Sequence, residues 1–309
     1  MAIVIIRQDG KSEEWRESLQ KAAPGINIYV HGNEFPKEEV IMALVWKHPV
    51  GSLSNYPRLQ LVNSMGAGVD FILDDPDLPP QVAVCRVVDP LLAEDMSEFV
   101  LSLVLGHIKN LNTYHGDHRR RWWQPLPYRR IKETKVGIMG LGALGATVAR
   151  DLKDLGFAVS GWSRTKKNLP GITTYEGPGG FQEFLGGVSV LVCLLPLTPE
   201  TQGILNTELF YALPQGTYLI NVARGGHLQE DDLLQAIDNG QISGASLDVF
   251  EREPLPVNHA FWDNENILIT PHVASVTDID SVASLLLENY RRLKAGQDLR
   301  FEVSLSRGY

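Results

Sequence analysis

The sequence is poor in cysteine and has no long apolar run. Cys85 and Cys193 are the two cysteines among 309 residues, too few for a disulfide framework, and Cys193 lies in an apolar run where a reduced thiol is expected. The longest apolar stretches, 99–108 and 188–197, fall well short of the roughly 20 residues of a membrane span. The apolar run 2–6 is too short for an export signal. We therefore expect a cytoplasmic protein without a membrane partner.

Positive charge is also scarce. The chain has 28 basic residues against 37 acidic ones, a formal net charge of −9, which disfavours nucleic acid and anionic membranes as partners. An anionic ligand would need a local basic site. The hydrophobic content of 44% is ample for packed cores, and the length suits two domains.

Short apolar strands alternate with helical segments along the chain. Strands are predicted at 3–6, 26–30, 43–46, 59–63, 82–85, 135–139, 158–162, 188–194, 218–222, 245–247 and 267–270. A buried helix is predicted from 93 to about 114, and a polar stretch follows at 115–132. This alternation is typical of parallel sheets that helices cover on both faces.

The C-terminal segment predicts an amphipathic helix at 277–294, where Thr277 and Asp280 resemble a capping box. We expect this helix to return to the first domain. The sequence thus predicts an α/β protein with two doubly wound parallel-sheet domains. The first covers residues 1–93 and is completed by 276–309, and the second covers 94–275.

A glycine motif follows the strand predicted at 135–139. Gly140, Gly142 and Gly145 form a G-x-G-x-x-G that opens a predicted helix, which is the context that a dinucleotide site requires. The glycines permit a tight turn, a close backbone approach and helix–strand packing, and a pyrophosphate can bind at the start of the helix. The alternative is a glycine-rich turn without a ligand. We expect a Rossmann domain that binds a dinucleotide.

The next strand bears on the choice of dinucleotide. About 20 residues on, where an NAD site carries an acidic residue, the sequence reads Ser163-Arg164-Thr165-Lys166 without a carboxylate. The two hydroxyl groups can donate hydrogen bonds, and the two cations can neutralise a 2′-phosphate. The alternative is a solvated charged loop. We expect NADPH to be preferred, without excluding NADH.

Arg224, Glu253 and His272 follow predicted strands of the second series. Because ligands of open parallel sheets bind beyond the carboxyl ends of strands, the three can converge. A guanidinium binds the oxygens of a 2-keto acid in a fixed fork, and histidine can protonate the alkoxide that hydride transfer leaves. A carboxylate on its other nitrogen would orient the ring. Each residue alone reads as a surface charge, a turn cap or a solvated acid, whereas the set indicates a reductase.

These motifs resemble the D-isomer-specific 2-hydroxyacid dehydrogenases, and the resemblance spans the whole chain. The blocks that carry it are the glycine loop, 195–201, 221–225, 247–250, 253–255 and 270–272. Further blocks at 44–46, 66–70, 123–127, 162–165 and 307–309 are similar to the bacterial glyoxylate/hydroxypyruvate reductase A branch of that family.

The resemblance implies a flavodoxin-like substrate domain, a Rossmann cofactor domain and the reduction of small 2-keto acids, glyoxylate to glycolate and hydroxypyruvate to D-glycerate. It implies that Arg224 binds the substrate, that His272 donates the proton and that Glu253 is its partner. Implied substrate contacts are Trp46, Ala67 and Gly68. Implied cofactor contacts are Gly140, Gly142, Ala143, Leu144, Gly145, Trp162, Ser163, Arg164, Thr165, Lys166, Leu195, Pro196, Val222, Ala223 and Asp248.

The segment 118–123, His-Arg-Arg-Arg-Trp-Trp, combines basic and aromatic residues. In an acidic protein this short run favours a solvated loop or a dimer contact over nucleic acid. The resemblance implies a homodimer in which Trp122 or Trp123 approaches the partner's active site. Nothing in the sequence predicts a metal site. The alternative function is a dinucleotide-sensing binding protein of the same fold with slow or no turnover; the catalytic set favours the enzyme.

Overall fold

Two units make up the chain in the computed structural model, which describes residues 1–305 and 307–309. Unit 1 consists of Met1–Leu91 and Thr277–Tyr309, and unit 2 of Leu92–Val276. The sequence predicted these divisions near residues 93 and 276. The last segment of the chain thus belongs to the same unit as the first.

Strands and helices alternate through both units. In chain order they are β1 (Ala2–Arg7), α1 (Ser12–Ala22), β2 (Asn27–Val30), β3 (Val40–Trp46), β4 (Leu61–Ser64), α2 (Asp70–Leu73), β5 (Ala83–Cys85), α3 (Pro90–Ile108), α4 (Leu111–Arg120), β6 (Lys135–Met139), α5 (Ala143–Asp154), β7 (Ala158–Ser163), β8 (Thr173–Glu176), α6 (Gly177–Leu185), β9 (Val190–Cys193), α7 (Thr207–Ala212), β10 (Thr217–Asn221), α8 (Glu230–Asp238), β11 (Ile242–Leu247), β12 (Ile267–Ile269) and α9 (Ile279–Ala295). Short 3₁₀ turns lie at Lys37–Glu39, Ser52–Asn55, Ile131–Glu133, Gly225–His227 and Ala260–Asp263.

Unit 1 contains a five-stranded sheet of order β2-β1-β3-β4-β5 with parallel strand pairs. Residues 2–6 of β1 are fully buried, because helices cover both faces of such a sheet. Helix α9 packs against α1, and the Tyr290 hydroxyl donates to the Met1 carbonyl oxygen at 2.9 Å. These contacts tie the C-terminal segment to the start of the chain.

The start of α9 differs from the prediction. The helix begins at Ile279, and the Asp278 carboxylate accepts a hydrogen bond from the Ser281 N–H at 2.8 Å. The cap is therefore Asp278 rather than the predicted pair of Thr277 and Asp280. A carboxylate directly before the first turn satisfies a free N–H and also favours the positive end of the helix.

Unit 2 contains a seven-stranded sheet of order β12-β11-β10-β9-β6-β7-β8, again with parallel strand pairs. The strand order reverses between β6 and β9, which pair with each other. At such a switch point the loops that follow the two strands diverge and leave a crevice for ligands. With the sheet of unit 1, this confirms the predicted fold class.

The segment between the two predicted series of strands is more helical than expected. The sequence predicted one helix from 93 to about 114 and a polar stretch after it, whereas α3 ends at Ile108 and α4 continues to Arg120. Asn110 separates the two helices with a φ of 57°. Asparagine tolerates this left-handed conformation, and one residue in it is enough to end a helix.

Candidate active site

The glycine loop joins β6 to α5 at the switch point. Gly140 has a φ of 101°, and a Cβ there would lie 2.6 Å from the Leu194 carbonyl oxygen. A Cβ on Gly145 would lie 1.9 Å from the Gly140 oxygen, whereas a Cβ on Gly142 would meet nothing within 4 Å. Two glycines therefore allow close packing and the third faces open space at the start of α5. The first N–H groups of a helix lack partners within it, so this cradle fits a pyrophosphate.

The end of β7 is held by local contacts. The indole N–H of Trp162 donates to the Gly177 carbonyl oxygen at 2.8 Å, and the ring packs against Phe181 at 4.7 Å between centroids. The Ser163 hydroxyl donates to the Thr165 carbonyl oxygen at 2.8 Å. The ring of Trp162 is therefore directed to α6. Contacts of Trp162 and Ser163 with a dinucleotide stay a prediction.

Arg164 and Lys166 follow β7 and are exposed. Residues 164–172 contain no carboxylate. The pKa of the Glu200 carboxyl is lowered mainly by a hydrogen bond from Thr198, and the charge of Arg164 adds to this. Arg164 therefore lies close enough to Glu200 for their charges to interact, and an anion bound at Arg164 would have that carboxylate nearby.

Asp248, which follows β11 and is 1% exposed, organises the segment after β12. Its carboxylate accepts hydrogen bonds from the Thr270 hydroxyl at 2.6 Å and from the N–H groups of Val273 and Ala274 at 2.9 Å each. Its carbonyl oxygen accepts from the His272 N–H at 2.8 Å. His272 has a φ of 55°, which is uncommon for a side chain with a Cβ. Asp248 thus stabilises the strained backbone that presents His272.

His272 and Glu253 form a hydrogen-bonded pair. The Nδ1 atom of His272 lies 2.8 Å and 3.0 Å from the two carboxylate oxygens of Glu253. The Phe250 N–H donates to the same carboxylate at 3.2 Å. Because an ionised carboxylate only accepts hydrogen bonds, Nδ1 carries a proton. Nε2 is then the ring nitrogen that can exchange a proton with a ligand.

The Arg224 loop follows β10 and is fixed by Asn221. The Asn221 amide donates to the Arg224 carbonyl oxygen at 3.0 Å and its oxygen accepts from the Ala223 N–H at 3.2 Å. A Cβ on Gly225 would lie 1.9 Å from the Phe250 carbonyl carbon. Only glycine allows this approach, so the loop that carries Arg224 touches the segment that leads to Glu253.

Three features that position the site residues were not predicted from the sequence. They are the hydrogen bonds of Asn221 to the Arg224 loop, the close approach of Gly225 to Phe250, and the hydrogen bonds of Asp248 to the segment around His272. An amide side chain at the very end of a strand is a signal for the first. The other two depend on contacts across more than 20 residues of sequence, and no local pattern reveals them.

Three predicted substrate residues, Trp46, Ala67 and Gly68, lie in unit 1, at the end of β3 and in the loop after β4. Trp46 ends β3 and makes an edge contact with Phe71 at 5.7 Å between ring centroids. A Cβ on Gly66 would lie 2.9 Å from the Trp46 ring. Trp46 therefore lies directly over the loop that includes Ala67 and Gly68. Substrate contacts of these three residues stay a prediction.

Comparison with known proteins identifies the family. Residues 101–274 match the family model of the D-isomer-specific 2-hydroxyacid dehydrogenases, NAD-binding domain. The chain belongs to this family. The glyoxylate/hydroxypyruvate reductases A of Serratia proteamaculans and Photorhabdus laumondii are each 39% identical to it, with 100% of both chains covered. The family predicted from the sequence is confirmed.

Solved structures agree with this assignment. A D-isomer-specific 2-hydroxyacid dehydrogenase from Xanthobacter autotrophicus, in complex with NADPH and MES, superposes with a TM-score of 0.94 at 41% identity, over 100% of this chain and 99% of that one. An NADPH-dependent glyoxylate/hydroxypyruvate reductase from Sinorhizobium meliloti, in complex with NADP and sulfate, gives 0.91 at 36% identity, with 100% and 99% covered.

The chain is therefore an NAD(P)-dependent oxidoreductase. Within residues 1–305 and 307–309, no helix has both the length and the apolar character needed to cross a membrane.

The two free cysteines are buried, and burial raises the pKa of each thiol to about 12. Neither thiol is a nucleophile near neutral pH.

Proposed function

We propose that the protein uses NADPH to reduce small 2-keto acids, glyoxylate to glycolate and hydroxypyruvate to D-glycerate. The observation that carries the proposal is the hydrogen-bonded pair of His272 and Glu253 beside the Arg224 loop, an arrangement that suits a proton donor and its partner. These residues follow β10, β11 and β12, which belong to the same sheet as β6, the strand before the glycine loop. Relatives named glyoxylate/hydroxypyruvate reductase A over the full length support this substrate class.

The residues of unit 2 fit a nicotinamide dinucleotide. The open space at Gly142 and the start of α5 suit the pyrophosphate, and Arg164 and Lys166 suit a 2′-phosphate in a loop without a carboxylate. Leu195 and Pro196 follow β9, on the far side of the switch point. When bound, the dinucleotide supplies the hydride. The relatives solved with NADPH and NADP support the same preference.

The side chains of the chain itself bind the keto acid and move the proton. The Arg224 guanidinium binds the carboxylate and the ketone oxygen in a fork, which also polarises the carbonyl. His272 donates the proton on Nε2 to the oxygen that gains charge during reduction. Glu253 holds Nδ1 and stabilises the imidazolium form that donates. Trp46, Ala67 and Gly68 are the proposed substrate contacts of the other domain.

A steady-state comparison tests this proposal. Glyoxylate, hydroxypyruvate and pyruvate are each added with NADPH or NADH, and the loss of absorbance at about 340 nm is followed. We expect turnover with the first two acids and a higher kcat/KM with NADPH. A protein that binds NADPH but turns over none of these acids would instead be a dinucleotide-binding protein.

We also propose a homodimer formed through α4 and the segment after it. Trp122, Trp123 and Tyr128 are 62%, 99% and 60% exposed in the single chain. Trp122 and Trp123 also line a cavity of about 430 Å³ with Tyr114. Exposed clusters of large aromatic side chains mark interaction sites. Analytical ultracentrifugation should find a dimer that Trp123→Ser weakens, and a monomer at all concentrations would contradict the proposal. The cytoplasmic location stays a prediction.

A further inference from the structure

His227 is fully buried and lies between two loops of the proposed active site. It ends the 3₁₀ turn Gly225–His227 that follows Arg224. Its Nδ1 atom is 3.1 Å from the Arg224 carbonyl oxygen, and its Nε2 atom is 3.3 Å from the Pro196 carbonyl oxygen. One imidazole thus spans the loop that carries the substrate-binding arginine and the loop proposed to contact the dinucleotide.

The backbones on either side of His227 run next to each other. The Gly203 N–H donates to the Gly226 carbonyl oxygen at 2.9 Å, and the Leu205 N–H donates to the His227 carbonyl oxygen at 2.8 Å. A Cβ on Gly226 would lie 3.1 Å from the Leu197 side chain. The two chain segments are therefore joined along their length, and the His227 side chain extends this connection to Pro196.

Both oxygens that face the imidazole are carbonyl oxygens, which only accept hydrogen bonds. A neutral imidazole donates to one of them and an imidazolium donates to both. Each oxygen also has a second donor: the Asn221 amide at 3.0 Å from the Arg224 oxygen, and the Thr201 hydroxyl at 2.7 Å from the Pro196 oxygen. Removing the imidazole therefore leaves neither carbonyl without a partner. What it removes is the side-chain link between the Arg224 carbonyl and the Pro196 carbonyl.

We propose that His227 is a positioning residue that couples the dinucleotide loop at Pro196 to Arg224. The inference rests on the proposed function for the identity of the two ligands. A dinucleotide that orders the Pro196 loop then also orders the Arg224 backbone, and an anion bound by Arg224 strengthens dinucleotide binding by the same factor. The coupling makes the site complete only when the cofactor is bound.

Calorimetric binding of oxalate, an unreactive dicarboxylate, measures this coupling without turnover. Its affinity is determined with and without saturating NADPH for the wild type and for His227→Phe. We expect NADPH to strengthen oxalate binding in the wild type by roughly 5- to 150-fold, the usual range of such coupling. His227→Phe should reduce this factor to about one while changing the affinity for NADPH alone by less than about twofold.

Two smaller substitutions separate the two contacts. The amide of His227→Asn can reach the position of Nδ1 and so keep the contact with Arg224, and that of His227→Gln can reach the position of Nε2 and keep the contact with Pro196. Each keeps one of the two contacts and loses the other, so each should show weaker coupling than the wild type. Should His227→Phe fail to fold, these two variants decide the outcome.

His259→Phe is the matched control. His259 lies in the same unit and has two polar contacts of similar length, to Glu230 at 3.0 Å and to the Phe261 N–H at 3.2 Å. Its loss should lower the melting temperature and leave the coupling intact.

With glyoxylate, His227→Phe should raise KM and lower kcat by roughly 10- to 100-fold, as a small misplacement of a substrate-binding group does.

The outcomes separate the two proposals. Full coupling in His227→Phe, or a wild type in which NADPH leaves oxalate affinity unchanged, would overturn the role of His227. Coupling that is present in the wild type and lost in His227→Phe supports it, even if no 2-keto acid is reduced. In that case the proposed reaction fails and the connection between the loops stands.

Discussion

Glu253→Gln changes the charge beside His272 and almost nothing else. The Phe250 N–H, which donates to the Glu253 carboxylate at 3.2 Å, will keep an acceptor oxygen on its side. The new NH₂ group then replaces the carboxylate oxygen that lies 2.8 Å from Nδ1 of His272. The oxygen that stays with the Phe250 N–H lies 3.0 Å from Nδ1 and can still accept a hydrogen bond from it, but it no longer carries a charge. The glutamine therefore stabilises the imidazolium form of His272 much less than the carboxylate does.

The size of the effect follows from the charge that this hydrogen bond loses. A hydrogen bond to a charged group contributes about 1.5–3 kcal/mol, and the carboxylate contributes it only while the imidazole is charged. The rate constant for reduction should therefore fall roughly 10- to 150-fold, with the affinity for NADPH unchanged. Stopped-flow absorbance with saturating glyoxylate measures the rate, and fluorescence titration measures the affinity.

Glu251→Gln supplies the control, because Glu251 is exposed and nearby and the substitution makes the same change in net charge. It should alter the rate by less than about twofold. An equal loss in both variants would show that the effect comes from overall charge and not from the contact with His272. A wild-type rate in Glu253→Gln would refute the proton-donor role of the pair.

Three further predictions follow from the fold. Arg164→Ala should raise KM for NADPH about tenfold and leave KM for NADH unchanged, because only NADPH carries the 2′-phosphate; equal changes would argue against the basic loop. Gly142→Ala should weaken NADPH binding about tenfold or more at an unchanged melting temperature, whereas Gly145→Ala should lose about 1–3 kcal/mol of unfolding free energy; the reverse pattern would contradict the cradle. Burial lowers the pKa of His107 from its ordinary 6.5 to about 4. Its contribution to stability is therefore complete above pH 6.5 and lost as the pH falls toward 4, up to about 3 kcal/mol. Urea titrations of the wild type and His107→Phe, which keeps the stack on Tyr218, should diverge in that range, and parallel curves would contradict it.

Buried strands left a clear pattern in the sequence because both of their faces are covered. Every residue of β9 and β10 is buried, and apart from Thr217 and Asn221 at the ends of β10 their residues are apolar. The edge strand β8, Thr173–Glu176, was not predicted because none of its residues is buried and three of the four are polar or charged. A strand that pairs on one side only needs no such pattern.

The residue types of the candidate site could be predicted from the sequence. The contacts that hold these residues in position could be predicted less well. Arg224, Glu253 and His272 are reactive side chains after strands, and topology alone brings strand ends together. The cofactor contact implied for Asp248 stays a prediction, whereas the three hydrogen bonds that its carboxylate accepts from 270–274 were not predicted. These contacts span more than 20 residues and form only when β11 and β12 pair. Sequence patterns therefore identify the reactive groups more readily than the groups that hold them in position.

In the proposed reaction, His272 donates the proton in the reduction of the 2-keto acid. The most direct measurement compares wild type and His272→Ala, both saturated with NADPH, in a single turnover with glyoxylate. We predict a rate at least about 100-fold lower in the variant, the usual contribution of a positioned acid, with the same dissociation constant for NADPH. Equal rates in the two proteins would contradict the claim.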